Sequence, residues 1–114
     1  MQLVFLEKVT RSYDLGDVIA FRCDGLQATL VKRIVAGPGN TVQILDGTLY
    51  VNGKISVIYP EEGCFSDAGI LSGPVDLKSD EYFVIGDNFE KSKDSRYETV
   101  RPVKRESIME RVMS

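Results

Sequence analysis

Thr41-Val42-Gln43-Ile44-Leu45-Asp46-Gly47-Thr48-Leu49-Tyr50-Val51-Asn52-Gly53-Lys54-Ile55-Ser56-Val57 decides the fold. Asp46-Gly47 and Asn52-Gly53 supply the positive φ angles that tight hairpin turns demand, so three short strands fold back on one another. Upstream, Gly37-Pro38-Gly39-Asn40 breaks the chain after a strand over Leu26 to Val35. That strand returns from Val18-Ile19-Ala20-Phe21, an apolar run fit for a buried strand, through a tight turn at Asp24-Gly25. Leu15-Gly16-Asp17 is a further turn signal, and Gln2 to Val9 has the mixed pattern of a half-buried strand. Downstream, an irregular excursion over about 59–76 carries Pro60, Gly63, Gly69 and Gly73. Glu81-Tyr82-Phe83-Val84-Ile85 resumes as strand, turns at Gly86-Asp87-Asn88 and enters a polar loop from Phe89 to Thr99. In the tail from Val103 to Met113, Ile108 and Val112 stand at helical spacing, but the segment also fits a turn and a closing strand. The whole is expected to be one all-β antiparallel domain over residues 1–114.

Composition excludes several kinds of chemistry. The 114 residues carry a net charge of −3, so nothing draws the chain to nucleic acid in general. The short basic cluster Arg101, Lys104, Arg105 is expected to be solvated surface. There is no histidine, which removes Ser-His-Asp and Cys-His mechanisms and His-ligated metal sites. Acid–base work near neutral pH then falls to a perturbed Lys, Asp, Glu, Tyr or Cys. Cys23 and Cys64 follow no metal-ligand spacing. Sequence does not settle whether they pair, and two unpaired thiols are the favoured reading. No cofactor or metal is expected. No stretch has the length and apolarity of a membrane span or a signal peptide, so the chain as given is expected to be soluble.

Three segments carry more than fold. They are Gly16-Asp17-Val18-Ile19-Ala20-Phe21, then Leu30-Val31-Lys32-Arg33-Ile34-Val35-Ala36-Gly37-Pro38-Gly39-Asn40-Thr41-Val42, then Tyr82-Phe83-Val84-Ile85-Gly86-Asp87-Asn88 running on to Ser92-Lys93-Asp94-Ser95-Arg96. In this order and spacing, with Leu49-Tyr50-Val51-Asn52-Gly53-Lys54 between them, the sequence resembles bacterial type I signal peptidase. The resemblance implies the signal peptidase/LexA-like antiparallel β fold. It also implies a serine-type endopeptidase that removes signal peptides from exported preproteins by a Ser/Lys dyad. Absence of histidine agrees with the bacterial branch, because archaeal and endoplasmic-reticulum relatives place histidine at the lysine position. Asn40, Phe89 and Glu98 depart from common family residues, which puts loop detail in question rather than membership.

In that family a serine attacks the scissile carbonyl while a neutral lysine takes its proton. A free lysine, with a pKa of about 10.4, does this only where apolar surroundings disfavour its ammonium form. Lys32 is the expected general base. Strand alternation would put it on one face with Leu30 and Ile34, and Arg33 on the other with Val31 and Val35. By resemblance, Ser92 orients the lysine amine, Asp94 and Arg96 form a supporting charge-assisted pair, and Leu30 and Val31 border the substrate cleft.

The family's nucleophile lies in a Ser-Met-x-Pro-Thr motif ahead of a segment such as Leu3-Val4-Phe5-Leu6, and no Ser-Met dipeptide occurs here. Ser12 is a loop hydroxyl on this reading. The expectation is a chain that starts after the catalytic serine, without the membrane anchor, and is inactive alone. Its parent would sit in the bacterial cytoplasmic membrane with the catalytic domain outside the cytoplasm, acting on signal peptides. A missing strand would leave an edge open to self-association. The competing expectations are an inactive peptide-binding or structural domain of the same fold, and a LexA-like self-cleaving Ser/Lys peptidase.

Overall fold

The computed structural model describes residues 11–114, so the strand expected over Gln2–Val9 lies outside the described residues. The first sheet has the order β8-β7-β2-β1-β9. Its strands are β1 (Val18–Cys23), β2 (Ala28–Ala36), β7 (Glu81–Ile85), β8 (Val103–Lys104) and β9 (Ile108–Met113). The second sheet has the order β5-β4-β3-β6. It holds β3 (Thr41–Leu45), β4 (Thr48–Val51), β5 (Lys54–Ile55) and β6 (Val75–Asp76). Among the described residues every pairing is antiparallel.

The two hairpins form as turn chemistry dictates. Leu45 faces Thr48 across Asp46-Gly47, and Val51 faces Lys54 across Asn52-Gly53. All four turn residues have positive φ, from 50° at Asp46 to 78° at Gly53, as a two-residue turn matching strand twist requires. β5 stops at Ile55, earlier than the strand expected to Val57. Ser56 ends it: its hydroxyl accepts the Ile58 and Tyr59 amides and turns the chain away. The turn expected at Asp24-Gly25 forms and runs to Gln27, whose amide donates to the Asp24 carbonyl at 3.1 Å, so β2 begins at Ala28 rather than Leu26. Gln27 adopts the left-handed conformation there, and Gly25 is needed for space, since a Cβ would lie 2.0 Å from the Thr99 carbonyl oxygen. In the tail, the closing-strand alternative holds and the helical spacing does not: a short 3-10 turn over Arg105–Ser107 leads into β9.

β7 organises the core because both its faces are buried. Phe83 and Ile85 join Val35, Val42, Ile44, Leu49 and Leu71 between the two sheets. Tyr82 and Val84 join Ile19, Phe21, Ile34 and Ile108 on the opposite face. Each such buried side chain contributes about 1.5–3 kcal/mol of gross hydrophobic stabilisation, which makes β7 and its β2 partner the rigid part of the molecule. Their ladder runs from Ala36↔Phe83 to Arg33↔Ile85 and stops there. Beyond it β2 continues beside β1, with Ile19 facing Lys32, while Gly86 leads the chain off into the loop. The gap opens beside Lys32.

Candidate active site

Where β7 leaves β2, a cleft of about 400 Å³ forms, with Val18, Val31 and Met113 as apolar wall and Lys32, Lys91 and Ser92 as polar wall. Lys32 is half-buried, and its Nζ donates to Ser92 Oγ at 3.1 Å. Ser92 is buried and lies against Gly86. A Cβ on residue 86 would stand 2.2 Å from Ser92 Oγ and 3.3 Å from Lys32 Nζ, so only glycine leaves room for the lysine–serine contact. The Gly86 turn is therefore the floor of the site.

Asp94 and Arg96 lie beneath that floor. Both are almost fully buried, and Arg96 Nε and Nη2 donate to the two oxygens of Asp94 at 2.9 and 3.0 Å. The Asp94 carboxylate also accepts the Gly86 amide at 3.1 Å, tying the ion pair directly to the floor. Arg96 spends its remaining donors on the Asp67 and Phe89 carbonyls. A buried ion pair is tolerated only when its hydrogen-bonding capacity is used up in this way. Ser95 is occupied elsewhere: its amide and hydroxyl both bind the Val84 backbone.

The structure thus brings Lys32, Ser92, Asp94 and Arg96 into one connected group, with Val31 on the cleft wall. Leu30 instead packs against the core face that holds Ile34. Arg33 was expected to point away from the lysine side; it reaches the same loop from half-buried cover. Its Nε and Nη2 clasp the Asp87 carboxylate at 2.8 and 2.9 Å, and its Nη1 donates to the Gly16 carbonyl at 2.8 Å. These bonds hold Asp87 down to a pKa of about 2, with the Arg33 hydrogen bonds as the largest cause and Tyr59 next. The same carboxylate raises the Arg33 pKa further. Asp87 was legible in sequence as a turn residue within the third family segment, with no role of its own, and Tyr59, which also reaches it, carried no motif at all. Lys91 and Met113 gave no signal either, since both join the cleft only through the packing of distant segments. Cys23 and Cys64 are free thiols, and among the described residues no cluster of His, Cys, Asp and Glu suits a metal ion.

Comparison with known proteins identifies the family. The family model described as signal peptidase, peptidase S26, matches residues 2–114. Signal peptidase I of Bacillus licheniformis is 37% identical over 103 residues, covering 82% of this chain and 55% of the relative. Signal peptidase I T of Bacillus subtilis is 39% identical over 90 residues, covering 71% of this chain and 46% of the relative. The chain therefore spans about half the length of the curated relatives it matches. The crystal structure of a signal peptidase I from Enterococcus faecalis superposes with a TM-score of 0.69 at 25% identity, over 90% of this chain and 97% of the other. By family model, relatives and fold together, this chain belongs to the signal peptidase family, peptidase S26.

Proposed function

We propose that this domain supplies the general base of a serine-type endopeptidase that removes signal peptides from exported preproteins. The observation that supports it most is the Lys32 Nζ–Ser92 Oγ contact of 3.1 Å at the edge of an apolar-walled cleft. A serine hydroxyl attacks the scissile carbonyl, and its proton passes to the Lys32 amine as the new C–O bond forms. The same proton then goes to the leaving amine as the peptide bond breaks, and water releases the acyl group. Ser92 holds one hydrogen of the amine, which fixes how the nitrogen's lone pair faces the cleft. Asp94 and Arg96 keep the Gly86 floor, and with it Ser92, in place. Val31 borders an extended substrate that pairs along the strand edge, and Leu30 supports it from the core side.

The substrate class is preproteins with small residues at the first and third positions before the cut. The enzyme works at the bacterial cytoplasmic membrane with this domain on the extracytoplasmic side. Among the described residues no helix is long and apolar enough to cross a membrane. β9 ends the first sheet among the described residues and exposes Met109, Val112 and Met113, and self-association along that edge belongs to the same proposal. Light scattering that finds a monomer at every concentration would remove this part.

The decisive test joins this chain to an upstream segment carrying Ser-Met-x-Pro and supplies a preprotein-derived peptide with Ala-x-Ala before the cut. Cleavage is expected, and Lys32→Ala is expected to abolish it. Undiminished cleavage by Lys32→Ala would refute the assignment of the base.

A further inference from the structure

We infer that Tyr59, on the irregular excursion, is a positioning residue for the Lys32–Ser92 pair, acting through Asp87. Its hydroxyl donates to the Asp87 Oδ1 that also accepts Arg33 Nε. The Asp87 carboxylate therefore takes two donors from β2 and one from the excursion. Asp87 follows Gly86, against which both Ser92 Oγ and Lys32 Nζ pack, at 2.2 and 3.3 Å from where a Cβ would stand. The floor is thus held at Gly86 from below by Asp94, and at Asp87 from two sides by Arg33 and Tyr59.

The Arg33–Asp87 pair does not immobilise the turn alone. Asp87's side chain is 62% exposed, and ion pairs that open to water are weak and mobile. The Tyr59 hydroxyl adds a bond from a different direction, on a ring that is itself fixed. That ring packs edge-on to Phe65 and Phe89, at centroid distances of 6.3 and 5.7 Å. Phe89 opens the loop that carries Ser92, so Tyr59 holds this segment twice, by its ring at Phe89 and by its hydroxyl at Asp87 in the turn just before it. Burial, and then the Asp87 carboxylate, raise the Tyr59 pKa, which keeps the phenol protonated as a donor rather than a proton carrier.

This role presupposes Lys32 as the base proposed above, yet its test does not depend on cleavage. In the 114-residue chain, Tyr59→Phe keeps the ring contacts and removes only the hydroxyl. The rate at which acetic anhydride modifies Lys32 is compared with that of Lys91, which lines the same cleft. Tyr59→Phe is expected to change the Lys32/Lys91 ratio about three-fold or more, because the network that sets the lysine's surroundings loses a member. The backbone amide resonances of Asp87, Asn88 and Ser92 are expected to move with it, while Tm stays within about 3 °C of the parent. Tyr59→Leu, which also removes ring packing, is expected to lower Tm as well. An unchanged ratio with unmoved resonances in Tyr59→Phe would overturn the inference. Undiminished cleavage by Lys32→Ala in the joined chain would instead overturn the general-base proposal, so the two failures are separable.

Discussion

Arg96 is the single side chain on which most of the site hangs. Replacing it by methionine keeps the volume but leaves the Asp94 carboxylate buried without its partner. The expected loss is about 3–5 kcal/mol in urea unfolding, the range for breaking a buried pair from one side. A loss below about 1 kcal/mol would mean that Asp94 finds water or another donor. Gly86→Ala acts on geometry instead of charge. Its methyl group would lie 2.2 Å from Ser92 Oγ, so the serine must move away from Lys32. In the joined chain, cleavage should fall about 100-fold, the usual consequence of a misplaced catalytic group. Wild-type turnover would show that the loop absorbs the methyl group without disturbing the pair.

Hairpin elements carry their own test at Asn52. The residue has φ +54° and its side-chain oxygen accepts the Thr41 amide at 2.8 Å. Asn52→Ala loses the bond and strains the turn, at an expected cost of about 1–2 kcal/mol. Asn52→Gly loses only the bond and should cost less; equal costs for the two would refute the strain component. Such elements were readable in advance because a two-residue turn is decided by the two residues in it. The end of β5 and the detail of the Asp24-Gly25 turn were not legible for the opposite reason. A serine hydroxyl cut the first short, and the approach of Thr99 from far along the chain, not local φ, set the need for glycine in the second.

For the whole molecule, acid stability follows from Asp87. Its folded pKa of about 2 lies below the ordinary carboxylate value, so its pairing adds stability above about pH 4. That increment is lost as pH falls from about 4 through 2, when the carboxylate protonates. Because the side chain is largely exposed, the increment is expected to stay under about 1 kcal/mol. Urea unfolding of Asp87→Asn at pH 2.5 and pH 5 checks it: the variant should fall behind the parent at the higher pH, and the gap should narrow at the lower. A constant difference at both pH values would assign the effect to packing.

The amino-acid sequence by itself determined the all-β class, the hairpins and the three ordered segments that mark the family, and it singled out Lys32, Ser92, Asp94 and Arg96. Each of those signals is contained in a few adjacent residues or in their order along the chain. Only the tertiary structure decided that Lys32 meets Ser92 across 60 residues, that Arg33 turns to Asp87 across 54, and that Tyr59 reaches the same carboxylate across 28. Those meetings depend on where the β2–β7 ladder ends and how the following loop packs. That is settled by burial on both faces of β7, a property of the assembled core that no local stretch of sequence contains.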